Sequence, residues 1–488
     1  MLLLSVSCRK TSLREGSDTK LDFSTDTLMF DTVFTQIGTA TERFMVRNPY
    51  NENVIISSVT LKERDNSKFR FNINGYEGDE VKDLEIEAGD SVFIFVEVTL
   101  DPSNQSLPLV IEDAVEFVTN GNLQEVTLTA WGQDAYYYVP TRQPAGFPAF
   151  TSVAERYNLT VPGEYTLPND KPHVIFGYLM IDTLMTLNIE PGTEFYFYAN
   201  SGLWAYRGSS LKVHGEKDNE VYFRGFRKES FYNTLPGQWD RIILNESDKD
   251  HEIDYAVIEN SFIGISAEYF FLGGNPRISD NKLKISNTII QNQQGIGILS
   301  RFYNIEATNC LVSNAESRLM GIQGGGNLTF TQCTFGNYWR FGNRQDPSLF
   351  ISNSFEFNSR NYTEPLNLEF HNSIVYGSND DEIEADTSQI NGSVYNVLFN
   401  HSVVKTDETF EIHPSWFVNC EVNPAGSDGF PNPLFKSTEH KRDNREAFYL
   451  HQSSAAKDVG EPSAPLLPPT DLKGDSRDGN PDAGAYEY

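Results

Sequence analysis

The sequence predicts an all-β chain in two parts, an antiparallel β-sandwich followed by a right-handed parallel β-helix. Three observations carry that expectation. Up to about residue 135, short runs of alternating apolar and polar residues are cut at regular intervals by Asn-Pro, Asn-Gly and Gly-Asp, the punctuation of strands and tight turns. From about residue 250 an eight-residue pattern recurs around a fixed polar position. Its tightest copies stand 22 and 23 residues apart, enough for one coil of three short strands and three turns.

Composition narrows the function classes. The chain has 488 residues, 38 Lys and Arg against 68 Asp and Glu, and a formal net charge of −30. This argues against nucleic acid as a partner, because phosphate binding needs clustered cations to release counterions. A polybasic membrane-surface protein is disfavoured for the same reason. With 39% hydrophobic and 13% aromatic residues, the chain can bury a sizeable core. Four cysteines without Cys-x-x-Cys spacing suggest neither a disulfide scaffold nor a zinc site. No apolar run approaches the roughly 20 residues that a membrane-spanning helix needs.

The first residues, Met1-Leu2-Leu3-Leu4-Ser5-Val6-Ser7-Cys8, form a short apolar stretch ending in small residues and a cysteine. They resemble the end of a bacterial lipoprotein signal, which implies a lipid anchor at Cys8, a place in the outer membrane and a body facing outside the cell. Residues 9–20 are polar without periodicity and are expected to be a tether, so 1–20 is read as signal remnant and tether.

The sandwich is assigned to residues 21–138. Its strands are expected over 41–47, 54–61, 69–73, 84–86, 91–98, 114–118 and 125–131, each bounded by turn residues. Leu28-Met29-Phe30-Asp31-Thr32-Val33-Phe34, Phe69-Arg70-Phe71-Asn72-Ile73-Asn74-Gly75 and Ala130-Trp131-Gly132-Gln133-Asp134 carry a resemblance to the immunoglobulin-like domain of Gram-negative surface lipoproteins. That resemblance implies a spacer or docking module. Residues 139–160 are read as a linker and a cap at the start of the second part.

The β-helix is assigned to 161–488. Its clearest copies are Leu283-Lys284-Ile285-Ser286-Asn287-Thr288-Ile289-Ile290, Ile305-Glu306-Ala307-Thr308-Asn309-Cys310-Leu311-Val312 and Leu328-Thr329-Phe330-Thr331-Gln332-Cys333-Thr334-Phe335. The recurrent polar position falls at Tyr255, Asn287, Asn309, Gln332, Asn372 and His401. Asparagine suits such a place because it tolerates left-handed backbone and its amide can bond to the next rung. Stacked coils lie about 4.8 Å apart and bury their apolar sides only against neighbours. Cys310 and Cys333 should therefore stack on adjacent rungs as two thiols. Phrases such as Pro236-Gly237-Gln238-Trp239-Asp240-Arg241-Ile242 and the closing run from Asp471 to Glu487 resemble bacterial β-helix repeat proteins of the pectate-lyase-like superfold.

That superfold hosts polysaccharide lyases and hydrolases, but the Gly-His-Gly turn and Arg-Ile-Lys run of polygalacturonase-like hydrolases are missing here. Asp380-Asp381-Glu382 through Asp386 reads as a solvated acidic loop, and Asp475 to Asp482 as a brace for the last coil despite calcium-loop spacing. No catalytic set, metal ligands or cofactor is assigned. Two coils swell, between 255 and 287 and between 332 and 372, and loops leaving a rigid scaffold tend to carry function. Tyr338, Trp339, Arg340, Arg344 and Tyr269 are the candidate ligand contacts, with Trp339 and Arg340 at the centre of an exposed rim; the alternatives are that these aromatics pack down over a flank of the helix, with Trp339 a buried clamp on the core, or that one excursion hides an extra rung. The expectation is a non-enzymatic surface lipoprotein whose β-helix binds a polysaccharide or surface protein, with membrane contact only through Cys8. A lyase or hydrolase with an atypical catalytic set and a structural subunit of an outer-membrane assembly are the alternatives.

Overall fold

Period-two burial is plain in the first part of the chain. Along Ser91–Val98 the side chains at 92, 94, 96 and 98 are buried and those between them are exposed, as a strand with one wet face requires. The computed structural model describes residues 12–34, 41–78, 80–99, 109–228, 230–269, 275–386, 394–425, 434–439 and 446–488. Cys8 lies outside them. The chain divides into two compact units, Met1–Ala135 and Tyr136–Tyr488.

The first unit holds two five-stranded sheets. One contains Glu42–Arg47, Ser91–Val98 and Phe69–Ile73, and the other Thr27–Phe34, Asn122–Gln133, Leu109–Thr119, Val54–Leu61 and Glu80–Ile86. Their facing residues, among them Phe44, Val96, Phe71, Ile56, Phe117 and Leu128, make one apolar core. The sandwich is not wholly antiparallel, because Thr27–Phe34 runs parallel to Asn122–Gln133. Residues 12–20 are no loose tether. Ser12 and Arg14 exchange backbone hydrogen bonds with Asn53, and the amides of Asn120 and Asn122 hold the carbonyls of Arg14 and Ser17 at 2.8 and 2.7 Å. Thr19 is fully buried. A polar segment is held here by backbone and side-chain amides, which hydropathy does not register.

The second unit is a parallel β-helix of three sheets, with eleven, nine and ten strands among the described residues. Coil by coil the chain visits sheet 1 (from Tyr136–Tyr138), sheet 2 (from Phe150–Ser152) and sheet 3 (from Gly163–Thr166) in turn, until the last coil passes from Val403–Val404 on sheet 1 to Phe417–Val418 on sheet 3, and each strand pairs in parallel with its copy on the next coil. Leu283, Ile305, Leu328, Leu368 and Val397 stand in one such register. Every recurrent polar position lies in left-handed backbone: Tyr255, Asn287, Asn309, Gln332, Asn372 and His401 have φ between +46° and +56°. Asn309 Nδ2 donates to Asn287 Oδ1 at 3.0 Å. A second ladder, Asn304, Asn327, Asn367 and Asn396, is spaced at 3.0, 2.9 and 2.8 Å. Inside, Phe330, Phe370, Phe399 and Phe417 stack ring on ring at 4.8, 4.8 and 5.1 Å, the strand spacing itself. Cys310 and Cys333 precede the paired residues Leu311 and Thr334 and are buried free thiols.

The first coil opens ahead of residue 161. Tyr136–Tyr138 pairs with His173–Ile175 and Phe150–Ser152 with Tyr178–Met180, so the end of the stretch assigned to the sandwich and the segment read as linker and cap each supply a strand. The swollen coil between 332 and 372 hides no extra rung. Its surplus leaves at two corners: residues 338–348 between sheets 1 and 2, and an antiparallel hairpin, Ser354–Phe357 with Arg360–Thr363, between sheets 2 and 3. Residues 434–439 and 446–488 then lie over sheet 1. Phe435, Phe448, Leu450, Ala485 and Tyr486 cover the outward side chains of Leu311, Ile374, Tyr376 and Val403.

Candidate functional site

The residues expected to form an exposed rim divide between two places. Trp339 is 9% exposed and lies against Phe341. Tyr338 packs between Phe435 and Phe448, and exposed Arg340 pairs with Glu439 at 3.2 Å. Together they edge a cavity of about 150 Å³. Trp339 is thus largely buried and not an exposed rim residue, and its neighbours Tyr338 and Arg340 tie its loop to the closing segment. Arg344 is not a ligand contact. Its guanidinium is buried against the carboxylate of Glu382, which also accepts from Ser348 N and Asn379 N at 3.1 and 2.9 Å. The acidic run is correspondingly less solvated than its composition implies. Asp381 accepts from Thr406 Oγ1 at 2.6 Å, and Glu384 pairs with Arg318 at 2.8 Å.

Tyr269 does reach a cleft. On the outer face of sheet 2, successive strands bring Trp204, Ile243, Asn245, Glu268 and Arg301 to the surface of a cavity of about 370 Å³. That volume falls in the range of small-molecule sites. The strand register sets Asn245, Glu268 and Arg301 in one column, one coil apart. Three insertions wall the floor: Phe147 and Pro148 from the opening loop, Tyr269 from the corner after Ile263–Glu268, and Phe355 with Phe357 from the hairpin.

The floor is rigid. Trp204 Nε1 donates to Asn245 Oδ1 at 2.7 Å, and Asn245 Nδ2 donates to the Glu268 carbonyl at 3.1 Å. Phe147 stacks on Trp204 with centroids 5.8 Å apart and planes at 28°. Arg301 donates from Nη1 to Glu268 Oε2 and from Nε to Gln323 Oε1, both at 2.7 Å, and its guanidinium lies 4.8 Å from the Phe355 ring centroid. The other oxygen of Glu268 accepts from Ser266 Oγ. Phe357 remains 39% exposed at the lip. Aromatic faces beside a fixed Arg, carboxylate and amide can stack on an apolar ring face and bond the hydroxyls at its edge.

Sequence reasoning singled out Tyr269, which lines this cleft, and did not single out the residues beside it. Trp204 sits in a run read as an opening coil, and Phe147 in a segment read as linker. A signal was present in the aromatic residues of all three insertions, but their convergence depends on which corner of which coil each leaves.

No family model matches the chain, and no curated protein matches it. Among solved structures, the catalytic unit of a family 87 α-1,3-glucanase from Streptomyces thermodiastaticus aligns at 10% identity over 80% of this chain and 91% of its own, with a TM-score of 0.18. The catalytic domain of a family 87 α-1,3-glucanase in complex with nigerose aligns at 10% identity over 74% and 80%, with a TM-score of 0.16. A family 123 glycoside hydrolase from Clostridium perfringens aligns at 8% identity over 23% of this chain and 26% of its own length, with a TM-score of 0.16. Scores of that size carry no argument, and the architecture stands on its strand pairing.

Proposed function

We propose that this chain is a glycan-binding surface lipoprotein of a Gram-negative bacterium. In this reading Cys8 carries the lipid anchor in the outer membrane, an immunoglobulin-like sandwich acts as spacer, and a right-handed β-helix presents the binding site. The observation that carries the glycan assignment is the sheet 2 cleft, where aromatic residues from three insertions enclose a fixed Arg301–Glu268 pair. Binding without cleavage is favoured by the state of Glu268. It is the carboxylate among the cleft's lining residues, and both its oxygens are engaged by Ser266 and Arg301. Glycoside hydrolysis generally uses two carboxyl groups across the scissile bond.

A glycan array on the chain from Arg9, with product analysis of every hit, tests this. Capture should fall about tenfold or more in Phe357→Ala and in Tyr269→Ala with the melting temperature unchanged, since each truncation removes a stacking face at the lip. New reducing ends or unsaturated uronates would overturn the non-enzymatic part. Undiminished capture in both variants would remove the site.

A further inference from the structure

A second cleft, of about 480 Å³, opens on the outer face of sheet 1 beside the cover formed by residues 446–488. Tyr449, Leu472, Lys473 and Tyr486 of that cover form one wall. On the sheet side, Arg224, Glu259 and Gln291 follow one another on successive coils, and all three are at least nine-tenths buried. Arg224 stands out among the buried guanidiniums. Arg344 and Arg477 place their Nη groups on carboxylates at hydrogen-bond distance, Glu382 and Glu487. Arg224 does not. Its carboxylate neighbours Glu194 and Glu259 stand 3.9 and 3.7 Å away, so its Nη groups make no carboxylate hydrogen bond among the described residues, while its Nε, like those of Arg344 and Arg477, is buried without a hydrogen-bond partner there. The guanidinium is nonetheless held in place, 4.1 Å from the Tyr222 ring centroid.

A buried cation with unmet donors is costly unless something accepts them. A planar guanidinium, held on an aromatic ring, matches the two oxygens of a carboxylate. Beside it Glu259, with Gln291 Nε2 3.3 Å from its carboxylate, supplies groups that bond hydroxyls, and Lys217, Asp218 and Glu220 line the same cleft. A ligand that meets both demands within this volume carries one carboxylate and several hydroxyls. We propose that the sheet 1 cleft binds a sugar acid, its carboxylate on Arg224 and its hydroxyls on Glu259 and Gln291. With a net charge of −30 the whole chain repels such a ligand, so affinity comes from local contacts. Lys473 at the rim is already paired with Asp475 at 2.7 Å. This site is independent of the sheet 2 cleft and stands or falls without it.

The test is calorimetric titration of the full chain with a hexuronic acid and its short oligomers, the neutral parent hexose, and inorganic phosphate. The uronate should bind at least about tenfold tighter than the hexose, as one charge-assisted contact allows. Arg224→Gln should weaken uronate binding by about tenfold to a hundredfold. Arg224→Lys, which keeps the charge under Glu194 and Glu259 but loses the fork, should weaken it by about tenfold while preserving the melting temperature. Phe357→Ala, on the other cleft, should leave uronate binding unchanged. Equal affinity for hexose and uronate, phosphate binding as tight as uronate, or full affinity in both Arg224 variants would each overturn the assignment. Loss of uronate binding in Phe357→Ala would move the ligand to sheet 2.

Discussion

His251 makes a pH-dependent prediction whose sign and size follow from its surroundings. It is fully buried on the strand His251–Asp254. Its Nδ1 lies 3.0 Å from the Leu211 amide, which can only donate, so Nδ1 must accept. Nε2 then carries the proton and donates to the Asn245 carbonyl at 3.0 Å. Protonating Nδ1 would break the first bond and bury a charge, and burial accordingly lowers the pKa from 6.5 to about 4. A folded-state value below the unfolded one means that the stability is fully present above about pH 6.5 and is lost as pH falls toward 4. The depression corresponds to about 3 kcal/mol. His251→Gln offers an acceptor and a donor in similar places without titrating. Urea unfolding of both proteins between pH 7.5 and 4.5 should show the wild type losing about 2–3 kcal/mol more than the variant over that range. Parallel pH profiles, or a His251 ring that titrates near 6.5 by nitrogen NMR, would refute the reasoning.

Other substitutions probe the scaffold. Arg344→Met leaves the Glu382 carboxylate buried without its guanidinium and should cost about 3–5 kcal/mol by thermal melting. Adding Glu382→Gln should recover much of that loss. Gly484 has φ of +101°, and a Cβ there would come within 2.7 Å of Ile374 and Thr334. Gly484→Ala should therefore cost about 1–3 kcal/mol and speed proteolysis of residues 446–488. Cys310 and Cys333 donate their thiols to the carbonyls of Thr308 and Thr331 at 3.2 and 3.4 Å, and burial pushes the Cys310 thiol up. Both should resist a thiol reagent until the chain is denatured, and a Cys310–Cys333 disulfide in the mass spectrum would contradict this.

The solenoid was legible because its demands repeat. Left-handed backbone recurs once per coil, and the chain answers with Asn287, Asn309 and Asn372, while the same interior slot takes Phe330, Phe370 and Phe399. A period can be read without knowing any contact. The site was less legible because it lacks a period. Tyr269 was visible as an aromatic residue in a surplus loop, yet Phe147 and Phe357 join it from positions more than a hundred residues earlier and nearly ninety later. Arg344 shows the reverse error. In the sequence it is a cation in an excursion beside Trp339, which suggests a ligand contact. Its partner Glu382 sits in an acidic run that reads as solvated, and only the stacking of their coils brings the two together. The segment 12–20 misleads for a related reason, since side-chain amides hold its backbone carbonyls and leave no apolar signature.

The cover over sheet 1 has a consequence for biosynthesis. Arg477 bonds Asn309, the Thr470 carbonyl accepts from Asn309, the Pro465 carbonyl accepts from Thr331, and the Glu461 carbonyl accepts from Asn372. Each of these ties runs from residues 461–477 to a coil made long before them. During synthesis the coils can stack one upon another as they emerge, but Leu311, Ile374 and Val403 are covered only once residues from Leu434 to Tyr486 have been added. A nascent or prematurely terminated chain therefore displays an apolar stripe that the finished protein hides, a handle for chaperones and a route to self-association.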